Sequence, residues 1–210
     1  MKYLLPILLS YLAGSIPTSI WLARLWKGID IRQHGSGNAG ATNVYRVLGL
    51  VPALITAVVD MGKGWVAAYY FASIFEMPEQ YQVWFGLACG LIAVVGHVYT
   101  IFAGFKGGKG VLTGAGVLAA FDPLALLVGV TVFGLTLALF KMVSLGSLAA
   151  ASSTTFFLLL SNIFGRKVEM PVFFACLLLT LLLFYTHRQN IKRILTGTER
   201  KIGQKDKPIA

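Results

Sequence analysis

The sequence is short of charge. Of its 210 residues 12% are charged and 57% are hydrophobic, where a soluble domain carries roughly 25% charged residues. The mean hydropathy is +0.75. This composition argues against a water-soluble domain and for a membrane protein. Cysteine chemistry is scarce too. Cys89 and Cys176 lie in apolar runs, with no C-x-x-C and no neighbour at metal-ligand spacing, so they read as small apolar core residues rather than a disulfide or zinc ligands. No G-x-S-x-G nucleophile elbow occurs. No histidine is followed five positions later by aspartate: those positions hold Ala39, Phe102 and Lys192 after His34, His97 and His187. No His, Asp, Glu or Cys cluster has metal spacing, so neither metal nor cofactor is expected. The net charge of +10 is not a basic stripe interleaved with aromatics, which argues against nucleic acid as a partner.

Long apolar runs are what the sequence does have. A membrane-crossing helix needs about 20 apolar residues. The runs fall at 3–25, 50–74, 82–104, 108–121, 124–140, 143–164 and 171–186, seven in all. The fourth and fifth are short and meet at Asp122-Pro123, a turn signal, so they read either as two thin spans or as one re-entrant hairpin. The N-terminal run is followed by several more and has no clear small-residue cleavage site beyond its core, so it reads as a retained first span rather than a signal peptide. The length suits a single domain over 1–210, an all-α integral membrane bundle of about seven transmembrane helices.

Placement of the basic residues orients the bundle. With the 26–49 loop inside, fourteen of the eighteen lysines and arginines fall on the inner side: Arg24, Lys27, Arg32, Arg46, Lys106, Lys109 and Lys141, then Arg188, Lys192, Arg193, Arg200, Lys201, Lys205 and Lys207. Lys2, Arg166 and Lys167 fall outside, and Lys63 lies within a span. By the positive-inside rule the N-terminus is outside and the C-terminus cytoplasmic, which requires an odd number of spans. The hydrophilic segments of substance (26–49, 104–110 and the tail after His187) then share the cytoplasmic face.

Those segments carry the chemistry. "HGSGNAGATN", His34 to Asn43, spells the dinucleotide fingerprint G-x-G-x-x-G, with Asp60 about 20 residues on. The context excludes that reading: a span precedes the glycines, no βαβ pattern exists, and Asp60 is itself inside a span. "FAGFKGGKGVLTGAG", Phe102 to Gly116, resembles a phosphate-binding P-loop but has Ala103 at the first glycine position and Gly110 in place of the magnesium-binding Ser or Thr. Glycines still let backbone N–H groups wrap an anion, and a following helix points its N-terminus at it. Lys106 and Lys109 add positive charge. The loop formed by Lys106, Gly107, Gly108, Lys109 and Gly110 is thus either a phosphate site or a flexible basic turn. In the first loop Ser36, Asn38, Thr42 and Asn43 offer hydroxyls and amides, either to a ligand or as helix caps at Asn38 or Thr42. "NVYRVLG" reads as a helix carrying Arg46, a residue suited to bidentate phosphate contact. In "THRQNIKRILTGTER", His187, Asn190 and Arg193 recur on part of one helix face. Asp60 and Lys63, at i and i+3 in a span, read either as an internal ion pair or as functional charges. Ser144 and Ser147 are either packing residues or hydroxyls aimed at the site. Inner acidic residues are few (Asp30, Glu199, Asp206), so an enzyme built this way holds anions in position and relies on an activated substrate.

"GSGNAGATN" followed by Arg46, Gly96-His97 leading to "FKGGKGV", and "HRQNIKRILTGTE" together resemble the bacterial acyl-phosphate:glycerol-3-phosphate acyltransferases over nearly the whole chain. Thr100 and Leu112 depart from the family pattern, outside the Lys-Gly core. The resemblance implies transfer of a fatty acyl group from acyl phosphate to the 1-position hydroxyl of glycerol 3-phosphate, giving lysophosphatidic acid and phosphate, in the bacterial inner membrane with the site loops facing the cytoplasm. Its partners would be glycerol 3-phosphate, acyl phosphate and membrane lipid. It implies that Ser36, Asn38, Arg46, His187 and Asn190 act at the reacting groups, that Asn43, Lys106 to Gly110 and Ser144 bind substrate, and that Glu199, with Asp60 and Lys63, is structural. A transporter of phosphate or a phosphate ester is the rival. It predicts internal repeats and polar groups on both faces, whereas the outer segments are short and plain.

Overall fold

The computed structural model describes residues 2–204, apart from the side chain of Asn162. Lys205, Asp206 and Lys207 lie outside the described residues. Ten α-helices run through the described residues: α1 (Leu4–Ser15), α2 (Thr18–Lys27), α3 (Ala41–Leu48), α4 (Leu50–Trp65), α5 (Glu79–Val98), α6 (Val111–Phe121), α7 (Pro123–Phe140), α8 (Val143–Ile163), α9 (Met170–Thr186) and α10 (Arg188–Leu195).

Among the described residues five helical stretches are long and apolar enough to cross a membrane: Leu4–Lys27, Leu50–Ser73, Glu79–Ala103, Pro123–Phe140 and Val143–Ser161. A sixth exists if α9 and α10, bent by 63° at their junction, count as one. The expected span at 108–121 shrinks to α6, because Gly110 adopts φ +88° and the helix starts only after it. Its 11 residues rise about 16 Å at 1.5 Å each, half of a hydrocarbon core. The first span, read from sequence as continuous, is broken. Pro17 has no N–H and disfavours helical geometry at Ile16, so α1 stops and α2 restarts at Thr18. Exposed Trp26, Tyr69, Tyr70, Tyr81 and Trp84 lie near the ends of these stretches, where aromatic rings favour the membrane interface.

The chain divides into two compact units. The first comprises the chain up to Pro123 with Glu169–Ala175, the second Leu124–Val168 with the chain from Cys176. In the first, α1 packs on α5 and α4 on α6, with α2 and α3 against α4. Small residues set these approaches. A Cβ on Gly14 or Gly96 would overlap the backbone carbonyl of Ala93 or Tyr11, and one on Gly64 or Gly116 that of Thr113 or Met61. Close backbone contact through glycine is how helices associate where lipid removes the hydrophobic drive. Ile20, Ala23, Ile31, Ala39, Val44 and Ala53 form a buried cluster that clamps the Gly-rich loop between α2 and α3. In the second unit the Thr155 and Thr180 hydroxyls are 2.8 Å apart and Thr180 donates to the Ala151 carbonyl at 3.2 Å, joining α8 to α9.

Candidate functional site

The first loop is built by its own polar groups. Asp30 accepts the Arg32 backbone N–H at 3.0 Å and pairs with the Arg32 guanidinium at 2.7 Å, while Arg32 Nη1 donates to the Ala103 carbonyl at 2.8 Å. Arg32 therefore ties the first loop to the turn preceding Lys106. The Arg32 hydrogen bonds hold the Asp30 carboxyl down to about 2, against an ordinary 3.8. A folded value below the unfolded one contributes stability that is complete above about 4 and is lost as pH falls toward about 2. Asp30→Asn is expected to cost roughly 2 kcal/mol near neutral pH, and the gap to the parent protein should close in acid. Unfolding midpoints of both proteins across that window check it; a gap that stays constant would contradict it.

Asn43, 1% exposed, sits at the heart of this loop. Its Oδ1 accepts the Ser36 backbone N–H at 2.7 Å, and its Nδ2 donates to the carbonyls of Ile31 and His34, both at 3.0 Å. Gly35 and Gly37 have φ +58° and +72°, the left-handed turns that let the chain close around that amide. The Ser36 side chain is exposed, and Asn38 and Arg46 are half-buried. α3 is capped by the backbone of Gly40, not by a side chain of Asn38 or Thr42. It carries Arg46 in its last turn.

The second loop folds back on the end of α5. Gly107 N–H donates to the Val98 carbonyl at 3.0 Å and Gly108 N–H to the His97 carbonyl at 3.1 Å. Space beside both glycines is filled: a Cβ on Gly107 would overlap the His97 carbonyl, and one on Gly108 would lie 2.6 Å from the Ala39 carbonyl. The two Gly-rich loops therefore touch. Lys106 is exposed and Lys109 half-buried, and α6 begins directly after the loop with its N-terminus facing it. Beneath lies the intramembrane pair, with Lys63 Nζ 2.8 Å from Asp60 Oδ1.

The second unit holds another polar cluster. Glu199 Oε1 accepts Ser144 Oγ and Asn190 Nδ2, each at 2.7 Å, and Oε2 accepts Arg193 Nε at 2.7 Å. Burial pushes this carboxyl up, but the three donors outweigh it and hold it below the ordinary range. His187 Nδ1 lies 2.8 Å from the Leu183 carbonyl, which only accepts, so Nδ1 carries the proton. The structure thus gathers Ser36, Asn38, Asn43, Arg46 and Lys106 to Gly110 in the first unit, and Ser144, His187, Asn190 and Glu199 in the second. Sequence reasoning missed Arg32 as the tie between the loops, Thr18, and the place of His97. Pro17 was the one signal that the first span breaks.

A family profile for glycerol-3-phosphate acyltransferase matches residues 4–197. Among curated relatives, glycerol-3-phosphate acyltransferases of Chlorobaculum parvum and Chlorobium limicola are 38% and 40% identical, each over 96% of this chain and 97% of the relative. Among solved structures, this fold superposes on the crystal structure of PlsY (YgiH), an integral membrane glycerol 3-phosphate acyltransferase, in its glycerol 3-phosphate form. The TM-score is 0.85 and the identity 36%, covering 97% of this chain and 96% of that one. The lysophosphatidic acid form gives a TM-score of 0.83 over the same coverage. The helical fold and these relatives together define an integral membrane acyltransferase. The chain belongs to the glycerol-3-phosphate acyltransferase family.

Proposed function

We propose that the chain transfers a fatty acyl group from acyl phosphate to the 1-position hydroxyl of glycerol 3-phosphate. The observation that carries this reading is its full-length likeness to PlsY, described in a glycerol 3-phosphate form and a lysophosphatidic acid form. The hydroxyl oxygen bonds to the acyl carbonyl carbon, the bond from that carbon to the phosphate oxygen breaks, and lysophosphatidic acid and phosphate leave. Acyl phosphate is a mixed anhydride, already activated. The protein's contribution is to position the hydroxyl and neutralise the departing phosphate. A substrate phosphate oxygen takes the hydroxyl proton, so no side-chain base is required.

Residue roles follow from donor capacity. Ser36, Asn38 and Arg46 hold the departing phosphate. The side chains of Lys106 and Lys109, with the loop's backbone N–H groups other than those of Gly107 and Gly108, which go to the carbonyls of Val98 and His97, hold the acceptor phosphate. His187 and Asn190 orient the acceptor. Asn43 and Ser144 move from substrate contact to support: both Asn43 amide protons go to loop carbonyls, and the one Ser144 hydroxyl proton goes to Glu199. Glu199, Asp60 and Lys63 are structural.

The chain is placed in the bacterial inner membrane with both Gly-rich loops facing the cytoplasm, where glycerol 3-phosphate is found. An N-terminus outside and a C-terminus inside require an odd count of crossings. Counted as a crossing, the short α6 is the seventh. Irregular backbone at membrane depth is tolerated where protein surrounds it. A reporter fused to the C-terminus should be cytoplasmic.

Purified protein given acyl phosphate and labelled glycerol 3-phosphate should yield labelled lysophosphatidic acid and free phosphate. No product, together with uptake of a phosphate ester into proteoliposomes, would replace the enzyme with a transporter.

A further inference from the structure

The break between α1 and α2 is filled by charges that the reaction itself does not use. Lys63 Nζ donates to the Ile16 carbonyl at 3.1 Å, at the C-terminal end of α1, and Thr100 Oγ1 donates to the neighbouring Ser15 carbonyl. Thr18 Oγ1, on the first residue of α2, donates to Asp60 Oδ1 at 3.3 Å. The cation thus faces the negative end of one half-helix and the anion the positive end of the next, the arrangement that helix dipoles favour. The imidazole of His97 stands beside the pair, with Nδ1 3.7 Å from the same Asp60 oxygen. Its opposite edge is the wall under the second loop: a Cβ on Gly108 would overlap Nε2 and lie 2.9 Å from Cε1. Asp60, Lys63 and His97 are 2%, 6% and 8% exposed.

Charges inside a span are costly, and a well-packed apolar set commonly holds a bundle as well or better. An apolar set cannot fix the rotation of an imidazole. We propose that His97 is a positioning residue for the loop that receives glycerol 3-phosphate, with Asp60, itself held by Lys63 and Thr18, setting the ring against Gly108. The loop then has one contour. Its Gly107 and Gly108 N–H groups are anchored to the carbonyls of Val98 and His97, and the ring blocks it from sinking. This role rests on the acyl-transfer reading above.

The test is a split of Michaelis constants in the purified full chain. Asp60→Asn and His97→Asn should each raise KM for glycerol 3-phosphate about tenfold while leaving KM for acyl phosphate within about twofold, since displacement of a binding group far from the chemistry is felt at that group. His97→Gln, whose longer amide reaches the place of Nε2, should stay within about threefold of the parent protein. The Asp60→Asn/His97→Asn double variant should be no worse than the worse single, because both act through one ring. If Asp60→Asn does not fold, the contrast between His97→Asn and His97→Gln carries the test. Both KM values rising together, or a lowered unfolding midpoint with KM for glycerol 3-phosphate unchanged, would reduce the cluster to a packing device and overturn the proposal while leaving acyl transfer intact. A parent protein that makes no lysophosphatidic acid would overturn the functional reading and this one with it.

Discussion

Alanine at Glu199 is expected to be among the most destabilising single substitutions in the chain. The carboxylate is 8% exposed and receives donors from two helices: Ser144 at the start of α8, and Asn190 and Arg193 on α10. Removing it leaves the Ser144 and Asn190 donors, both in buried residues, without that acceptor, and leaves Arg193 without its carboxylate. Breaking a buried charged group out of its set of partners costs about 3–5 kcal/mol. Arg193 is 40% exposed, so water recovers part of its loss and the lower end applies. Glu199→Gln keeps one accepting oxygen but sets an amide N–H against the other donors, and should fall between alanine and the parent protein. Because the folded carboxyl lies below the ordinary range, its contribution is present at neutral pH and fades in acid as the group protonates. Unfolding midpoints in detergent, near neutral pH and in acid, read the whole set. Loss of acyl transfer with an unchanged midpoint would instead place Glu199 among the reacting groups.

How much of this was legible beforehand depended on the distance over which each feature is decided. Hydropathy runs are local, so the existence of the apolar helices could be read directly, as could the short helix carrying Arg46. That Asp60 and Lys63 are able to pair followed from helix geometry alone. The ends of elements were harder. Gly110 stops α6 from starting earlier because its φ of +88° is a left-handed turn, and a glycine inside an apolar run says only that such a turn is permitted. Pro17 was visible, yet a proline kinks some helices and ends others. What decides here is that Lys63 and Thr100, 46 and 83 positions downstream by sequence number, are present to cap the freed carbonyls. The support roles proposed for Asn43 and Ser144 were hidden for a related reason: an amide or hydroxyl near a polar loop reads as a ligand contact until its protons are traced to their acceptors. Arg32 and His97 act across chain separations that no local pattern encodes.

Alanine at Gly107 is expected to lower kcat/KM for glycerol 3-phosphate by about a hundredfold or more, the scale on which small displacements of a binding element act. A Cβ there would overlap the His97 carbonyl and lie 2.9 Å from that of Val98. Both neighbours are backbone at the end of α5, so no side-chain rotation relieves the contact. The loop has to lift, breaking the Gly107 bond to Val98 and the Gly108 bond to His97 together. Lifting moves the N–H groups proposed to hold the acceptor phosphate, and the proposal places the damage in KM for glycerol 3-phosphate rather than for acyl phosphate. Gly104 supplies the control. It turns at φ +65° in the same connection but has open space where a Cβ would go, so Gly104→Ala incurs only the left-handed strain of about 1–2 kcal/mol and should keep activity within a few-fold. Steady-state kinetics with each substrate varied in turn separate the two variants. Equal losses at Gly104 and Gly107 would mean that chain flexibility, not the close approach to α5, is what this loop requires.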